Sequence, residues 1–232
     1  MKYALIWTSK ISFINQKNYT LFRILMPFKF QHKELSKLLR RSEEFEITSY
    51  NTKEINKQLL DKLINFDTRC FPATSKEDSK YDFIDSDRVY VATNNSGEII
   101  GTLVREPKGR KKAYVTTVCV IESERGKYVY QELLRSCISG AIFDNITTIK
   151  GHTQNAKVEY GLRKLLDNLI MENKIDKYTI KRKIKKNYFE DWVHPAGLSD
   201  LKSESGELNK IYASLGSADA FLLTVHIQLH SM

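Results

Sequence analysis

Three runs rich in β-branched and aromatic residues follow one another in this chain with only short polar turns between them: Arg88 to Thr93, Glu98 to Arg105 and Ala113 to Ile121. Asn94-Asn95-Ser96-Gly97 is a hairpin signal, and Pro107-Lys108-Gly109 with the basic turn Arg110-Lys111-Lys112 separates the last two runs. Such runs predict an antiparallel meander with Ala113 to Ile121 as its central strand. The next segment breaks the pattern. Val129, Leu133, Leu134, Cys137, Ile138 and Ile142 recur at helical spacing, Asp144-Asn145 closes the helix, and Ile146 to Thr153 reads as another strand. A strand–helix–strand order of this length is a crossover that lays its two strands parallel. The two patterns together predict an α/β protein with a mixed, mostly antiparallel sheet of six to seven strands and flanking helices.

The flanks supply the remaining elements. Phe45 to Tyr50 alternates as a short strand, and Asn51 or Thr52 is placed to cap a helix carrying Ile55, Leu59, Leu60, Leu63 and Ile64 that ends near Asp67. Residues 71–87 are polar and turn-rich, with room for one short helix. A helix is expected from Ala156 to about Ile170, a strand from Lys177 to Lys186, an irregular stretch over 187–218 and a buried strand from Ala220 to Leu229. Trp192 and His194 in the irregular stretch read either as pocket-lining residues or as a tucked-in anchor.

Composition matters mainly through its distribution. The 232 residues carry a formal net charge of +9. Residues 1–41 hold nine basic side chains against Glu34 alone, which leaves 28 basic and 27 acidic groups in the rest of the chain. The expected organisation is therefore a basic extension over 1–41, read as a poorly ordered or a targeting segment, and a single nearly neutral domain over 42–232. No run reaches the roughly 18 apolar residues that span a bilayer. Cys70, Cys119 and Cys137 are too few and too scattered for a disulfide framework, and none forms a C-x-x-C pair. A reducing, cytoplasmic location without structural zinc is the expectation, with organelle or membrane-surface targeting by the leader left open.

The crossover helix opens at Arg125-Gly126-Lys127. Unpaired peptide N–H groups at a helix start favour an anion such as a pyrophosphate, and two adjacent cations strengthen that preference. The window from Val118 to Leu134 resembles the acyl-CoA motif of the GNAT-type N-acetyltransferase superfamily. In that family a strand is followed by R-G-x-G-x-G or R-G-x-G-x-A running into a helix with a leucine pair. Arg125, Gly126, Val129 and Leu133-Leu134 fall in register, and Asn155 followed by Tyr160 matches what the family shows after the next strand. Tyr128 and Tyr130 stand where the family has glycine, and Tyr160 falls one residue earlier than usual.

The resemblance implies acetyl-CoA, or another acyl-CoA, as co-substrate and no metal. It implies direct attack by a primary amine of a small molecule or a protein. Val118 or Val120 would supply the backbone N–H that polarises the acyl carbonyl. Arg125, Gly126, Lys127, Tyr128, Val129, Tyr130 and Asn155 would hold the cofactor, and Tyr160 would protonate the leaving thiolate. For the general base, His152 is first choice because its ordinary pKa lies near neutrality, and Glu122 is second. Two rival readings stand beside this one. The first is a binding module in which the two tyrosines close the phosphate site. The other is a nucleic-acid binder using the two basic regions, ranked last because the sequence shows no basic–aromatic interleaving. A homodimer is left open. Cys119 as a nucleophile is set aside, since it lies mid-strand with no partner evident in the sequence.

Overall fold

The structure, a computed structural model, describes residues 45–72, 74–188, 206–216 and 218–230. The expectations for the leader, for Trp192 and for His194 lie outside the described residues. Seven strands make one sheet: β1 Phe45–Asn51, β2 Arg88–Asn94, β3 Ile99–Pro107, β4 Lys112–Val120, β5 Thr148–Thr153, β6 Lys177–Lys185 and β7 Ala220–Gln228. Their order across the sheet is β1-β2-β3-β4-β5-β7-β6. Only β4 and β5 run parallel, as the crossover requires, and every other neighbouring pair is antiparallel. The helices are α1 Lys57–Cys70, α2 Lys76–Ile84, α3 Val129–Phe143, α4 Ala156–Met171 and α5 Gly206–Ala213. No helix of the described residues is long and apolar enough to cross a membrane.

Alternation along the strands sorts side chains onto two faces. One face, with Leu103, Ala113, Ile149, Phe221, Leu223 and Val225, packs against Leu133 and Ile138 of α3 and Leu162, Leu166 and Leu169 of α4. The other face, with Val89, Val91 and Val104, packs against Leu63 and Ile64 of α1 and Phe83 of α2. The second cluster contains no residue of β5, β6 or β7.

Three expectations need correction. The expected single helix after β1 is two elements: Asn51 caps a short 3-10 turn, Thr52–Glu54, through a capping box with Glu54, and Asn56 caps α1 by accepting from the Leu59 amide. Two cap-forming asparagines five residues apart start two helices. The stretch 187–218, read as irregular, contains α5, whose Tyr212 is fully buried. The cysteines are corrected most. Cys70 and Cys119 are disulfide-bonded across 49 residues, and only Cys137, on the buried face of α3, remains free. The partner of Cys119 is the last residue of a helix that the strand order carries onto β4, so spacing along the chain gave no sign of it.

Charge is buried where spacing gave no warning. Arg105 of β3 is fully buried and donates from Nε to Asp87 at 3.1 Å and from Nη2 to Asp87 and Asp144 at 2.6 Å each. It ties the start of β2 to the end of α3.

Candidate acyl-transfer site

The hydrogen-bonded register of β4 and β5 runs from Lys112–Thr148 to Val115–Gly151 and stops there, although β4 continues to Val120 and β5 to Thr153. On its other edge β4 carries one extra residue. Arg105 pairs with Val115 and Leu103 with Val118, so two steps on β3 match three on β4. A bulge of this kind bends its strand and increases the local twist, which turns the carboxyl half of β4 away from β5. A wedge opens between the two strands.

Backbone direction along β4 follows from one bond. The Ile121 amide donates to the Ile100 carbonyl on the β3 side at 3.0 Å. Peptide groups alternate sides along a strand, so Cys119 also faces β3, whereas Val118 and Val120 face the wedge. The Val120 carbonyl accepts from Arg125 Nε at 3.2 Å, in keeping with that direction.

The loop at the end of the wedge has an unusual backbone. Glu122–Glu124 form a 3-10 turn, Lys127 Nζ pairs with Glu124 at 3.1 Å, Gly126 has φ +83° and Tyr128 has φ +69°. Tyr128 is the cap residue of α3, and its side chain makes no capping bond. An L-residue in this left-handed region costs about 1 to 2 kcal/mol. The chain keeps at Tyr128 a conformation suited to glycine. The Tyr128 ring projects outward, 41% exposed. Tyr130 turns inward, and its Cε1 lies 3.7 Å from where a Cβ on Gly161 would sit, so the ring rests against α4. Burial raises the Tyr130 hydroxyl pKa well above its ordinary value. Val129 is buried in the core.

On the other side of the wedge, Asn155 caps α4, its Oδ1 accepting from the Lys157 amide at 2.8 Å. Tyr160 lies one turn on and is 36% exposed. Glu122 is exposed on the loop.

His152 sits at the end of β5, on the face opposite Ile149. Its Nδ1 is hydrogen-bonded to the Tyr114 hydroxyl, and its ring stacks on Tyr188 at 3.7 Å between centroids. Its Nε2 is buried without a hydrogen-bond partner. Burial, with a smaller contribution from Lys185, lowers its pKa to about 4. The imidazole is therefore neutral near pH 7.

Sequence reasoning missed two residues beside it and a third on α2 against β4. Tyr114 and Tyr188 hold the imidazole, and they lie 38 and 36 residues from it in the chain. The third is Asp82 of α2, whose Oδ2 accepts from Thr117 Oγ1 on the bulged stretch of β4 at 3.4 Å. Burial, then the nearby Asp67 carboxylate, pushes the Asp82 pKa up to about 6, and Glu106 and Asp78 act in the same sense. The polar character of 71–87 was the only signal in the sequence for Asp82. Among the described residues no three His, Cys, Asp or Glu side chains converge as a metal site.

No protein-family model matches the chain, and no curated protein matches it. Solved structures do. A GNAT family acetyltransferase from Elizabethkingia anophelis with acetyl-CoA bound is 21% identical, with TM-score 0.47 over 78% of this chain and 97% of that one. An acetyltransferase from Bacillus subtilis in complex with CoA is 17% identical, with TM-score 0.47 over 78% of this chain and 97% of that one. The ribosomal-protein-S18-alanine N-acetyltransferase from Escherichia coli is 12% identical, with TM-score 0.51 over 80% of this chain and 97% of that one. With the strand order, the parallel β4–β5 pair and the wedge, the likeness to the Escherichia coli enzyme assigns the chain the fold of the GNAT acetyltransferase superfamily.

Proposed function

We propose that this protein transfers an acyl group from an acyl-CoA, with acetyl-CoA as the first candidate, to a primary amine. The observation that carries the reading is the wedge: β4 and β5 part beyond Val115 and Gly151, with the Val118 and Val120 amides turned into the opening. At its end stands a loop whose left-handed Gly126 and Tyr128 leave the first turn of α3 without a side-chain cap. Main-chain donors of this kind suit a pyrophosphate and a thioester carbonyl.

An acyl-CoA would supply the activated carbonyl; the chain supplies everything else. The Val118 or Val120 amide donates to the acyl oxygen as negative charge builds on it. Arg125, Lys127 and the amides of Gly126, Tyr128, Val129 and Tyr130 hold the phosphates, and Asn155 borders the wedge at the head of α4. Tyr160 gives its phenolic proton to the sulfur as the carbon–sulfur bond breaks. The amine must shed a proton as its nitrogen bonds the carbonyl carbon. His152 or, second, Glu122 takes it. Asp82 joins them because it bonds Thr117 on the bulged stretch of β4 that opens the wedge, and burial raises its pKa to about 6. A rate that rises through about pH 6 supports Asp82, and one already flat at pH 5 supports His152.

The binding-module reading rests on the Tyr130 ring against Gly161, which narrows the gap between the start of α3 and α4. Titration calorimetry with acetyl-CoA separates the two. Heat of binding that weakens in Arg125→Ala is expected, and no heat at millimolar ligand would sink the enzyme reading.

A further inference from the structure

The face of the sheet that α1 and α2 cover over β1–β4 is left open by the described residues over β5, β7 and β6. Along β6, Lys177, Thr179, Lys181 and Lys183 are exposed while Tyr178, Ile180 and Arg182 turn toward α4. On β7, Leu222 and Thr224 are partly exposed and His226 and Gln228 exposed, while Phe221, Leu223, Val225 and Ile227 are buried. On β5, Lys150 and His152 share that open side.

Register turns these residues into rows. Thr148 lies beside His226 and then Thr179, Lys150 beside Thr224 and then Lys181, and His152 beside Leu222 and then Lys183. Lys177 and Lys185 continue the outer column at either end. None of the three strands places an Asp or Glu on this side, and none of the five lysines is ion-paired among the described residues. Asp176 and Asp219, near the ends of the strands, are engaged by His230 and Lys186. Lys181, Lys183 and Lys185 stand about 7 Å apart in turn, and Lys177 lies about twice that distance before Lys181, with Thr179 between them. Such a column suits a chain of anions better than a single anion.

Aromatic rings close one end of the column. Tyr188 follows β6, is 42% exposed and stacks on His152, which is bonded to Tyr114. The basic column and the aromatic group, which do not alternate in the sequence, are therefore neighbours at one end of this face. A basic sheet face with a stacking platform at its edge fits the phosphates and bases of a single strand, and the wide-spaced grooves of a duplex fit it less well.

We infer that the open face of β5, β7 and β6 is a binding surface for single-stranded nucleic acid. Lys150, Lys177, Lys181, Lys183 and Lys185 track its phosphates, and Tyr188 stacks on a base. This surface does not depend on acyl transfer, and the residues named for it lie within 150–188.

The test is fluorescence anisotropy of the full chain with labelled oligo(dT) and oligo(U) across a salt series. Binding is expected to weaken with salt. Lys177→Gln/Lys181→Gln/Lys183→Gln should lower the slope of log K against log salt by about 2, at roughly 0.7 for each phosphate no longer neutralised. The corresponding triple Lys→Arg variant should keep the slope, and Tyr188→Ala should weaken binding about tenfold at fixed salt. Thermal melts of the variants confirm that they fold. The basic leader is present in every variant, so an unchanged slope in the triple Lys→Gln variant overturns the inference and assigns the binding to the leader. Equal binding of a duplex with no effect of Tyr188→Ala overturns it as well. So does binding to phosphatidylserine vesicles with none to the oligonucleotides.

Discussion

Arg182 of β6 donates from Nε to Oε2 and from Nη2 to Oε1 of Glu159 on α4, each at 2.7 Å. Glu159 is fully buried and also accepts from Arg163 at 2.7 and 2.8 Å and from the Tyr212 hydroxyl at 3.0 Å. Burial works to raise its pKa, but the bonds from Arg182 and Arg163 outweigh it and hold the carboxyl below its ordinary range. One carboxylate thus joins α4, β6 and α5 immediately before Tyr160. Glu159→Leu leaves two guanidinium groups without a counter-charge in a partly buried site. It should destabilise the fold by about 3 kcal/mol, read as a lower urea midpoint with an unchanged slope.

Stability should depend on acid in two opposite senses. The folded Asp82 pKa is raised to about 6 from 3.8, so the native state binds that proton more tightly than the unfolded chain does. Its contribution is fully present below pH 4 and is lost as pH rises through 6. Glu159 behaves in reverse, and its contribution disappears as pH falls below about 4.5. His152 opposes Asp82 over the same span, because its pKa is lowered to about 4 and its contribution is lost as pH falls from about 6.5. Melting temperature should therefore change little between pH 4 and 6 in the parent protein, whereas in Asp82→Asn, with only the His152 effect left, it should rise with pH over that span; an unaltered profile would remove Asp82 as a source.

The Cys70–Cys119 bond closes a loop of 49 residues. Loop-closure entropy assigns such a link about 4 kcal/mol, a model-dependent upper figure. Reduction, or Cys70→Ser/Cys119→Ser, should lower the melting temperature, and alkylation followed by mass measurement should count one free thiol before reduction and three after it. Three free thiols in the unreduced protein would contradict the bond.

Tyr128→Gly tests the strained loop. Release from the left-handed conformation is worth about 1 to 2 kcal/mol, and the extra freedom of glycine in the unfolded chain gives back up to about 1 kcal/mol. A small gain in melting temperature is expected, together with tighter acetyl-CoA binding by calorimetry.

A Cβ on Gly140 of α3 would stand 2.5 Å from the Tyr90 hydroxyl, which is itself buried without a partner. Gly140→Ala should cost about 1 to 3 kcal/mol by overpacking. Tyr90→Phe removes the obstructing oxygen and an unsatisfied polar group, so it should restore most of that loss. A double-mutant cycle by urea denaturation reads the coupling, and additivity would refute the contact.

Most elements of the fold were legible because their signals are local. The period-two runs at 88–93, 98–105 and 113–121 became β2, β3 and β4, and the helical spacing of Val129, Leu133 and Leu134 became α3. A strand or helix records its exposed and buried sides within a few residues of itself. The wedge was legible only through the family resemblance of the Val118–Leu134 window. The bulge that opens it is one extra residue between Val115 and Val118, and nothing in Thr116-Thr117 announces it. Roles at Tyr160 and His152 came from the same resemblance. The partners that set the state of His152, Tyr114 and Tyr188, could not be read, because they belong to other elements.

The sequence by itself determined the order of the strands and of the helices other than α5, the single parallel crossover and the Arg125-Gly126 loop, since these follow from periodicity and turn chemistry over short spans. Tertiary structure alone decided that Cys70 meets Cys119, that Glu159 collects two arginines and a tyrosine, and that five lysines share one face of the sheet. Each of those outcomes depends on which strands become neighbours. Insertion of β7 between β5 and β6 sets Lys150 in a row with Lys181, 31 residues apart along the chain. Sheet order is selected by burial of the whole apolar surface, a property that no local pattern of residues records.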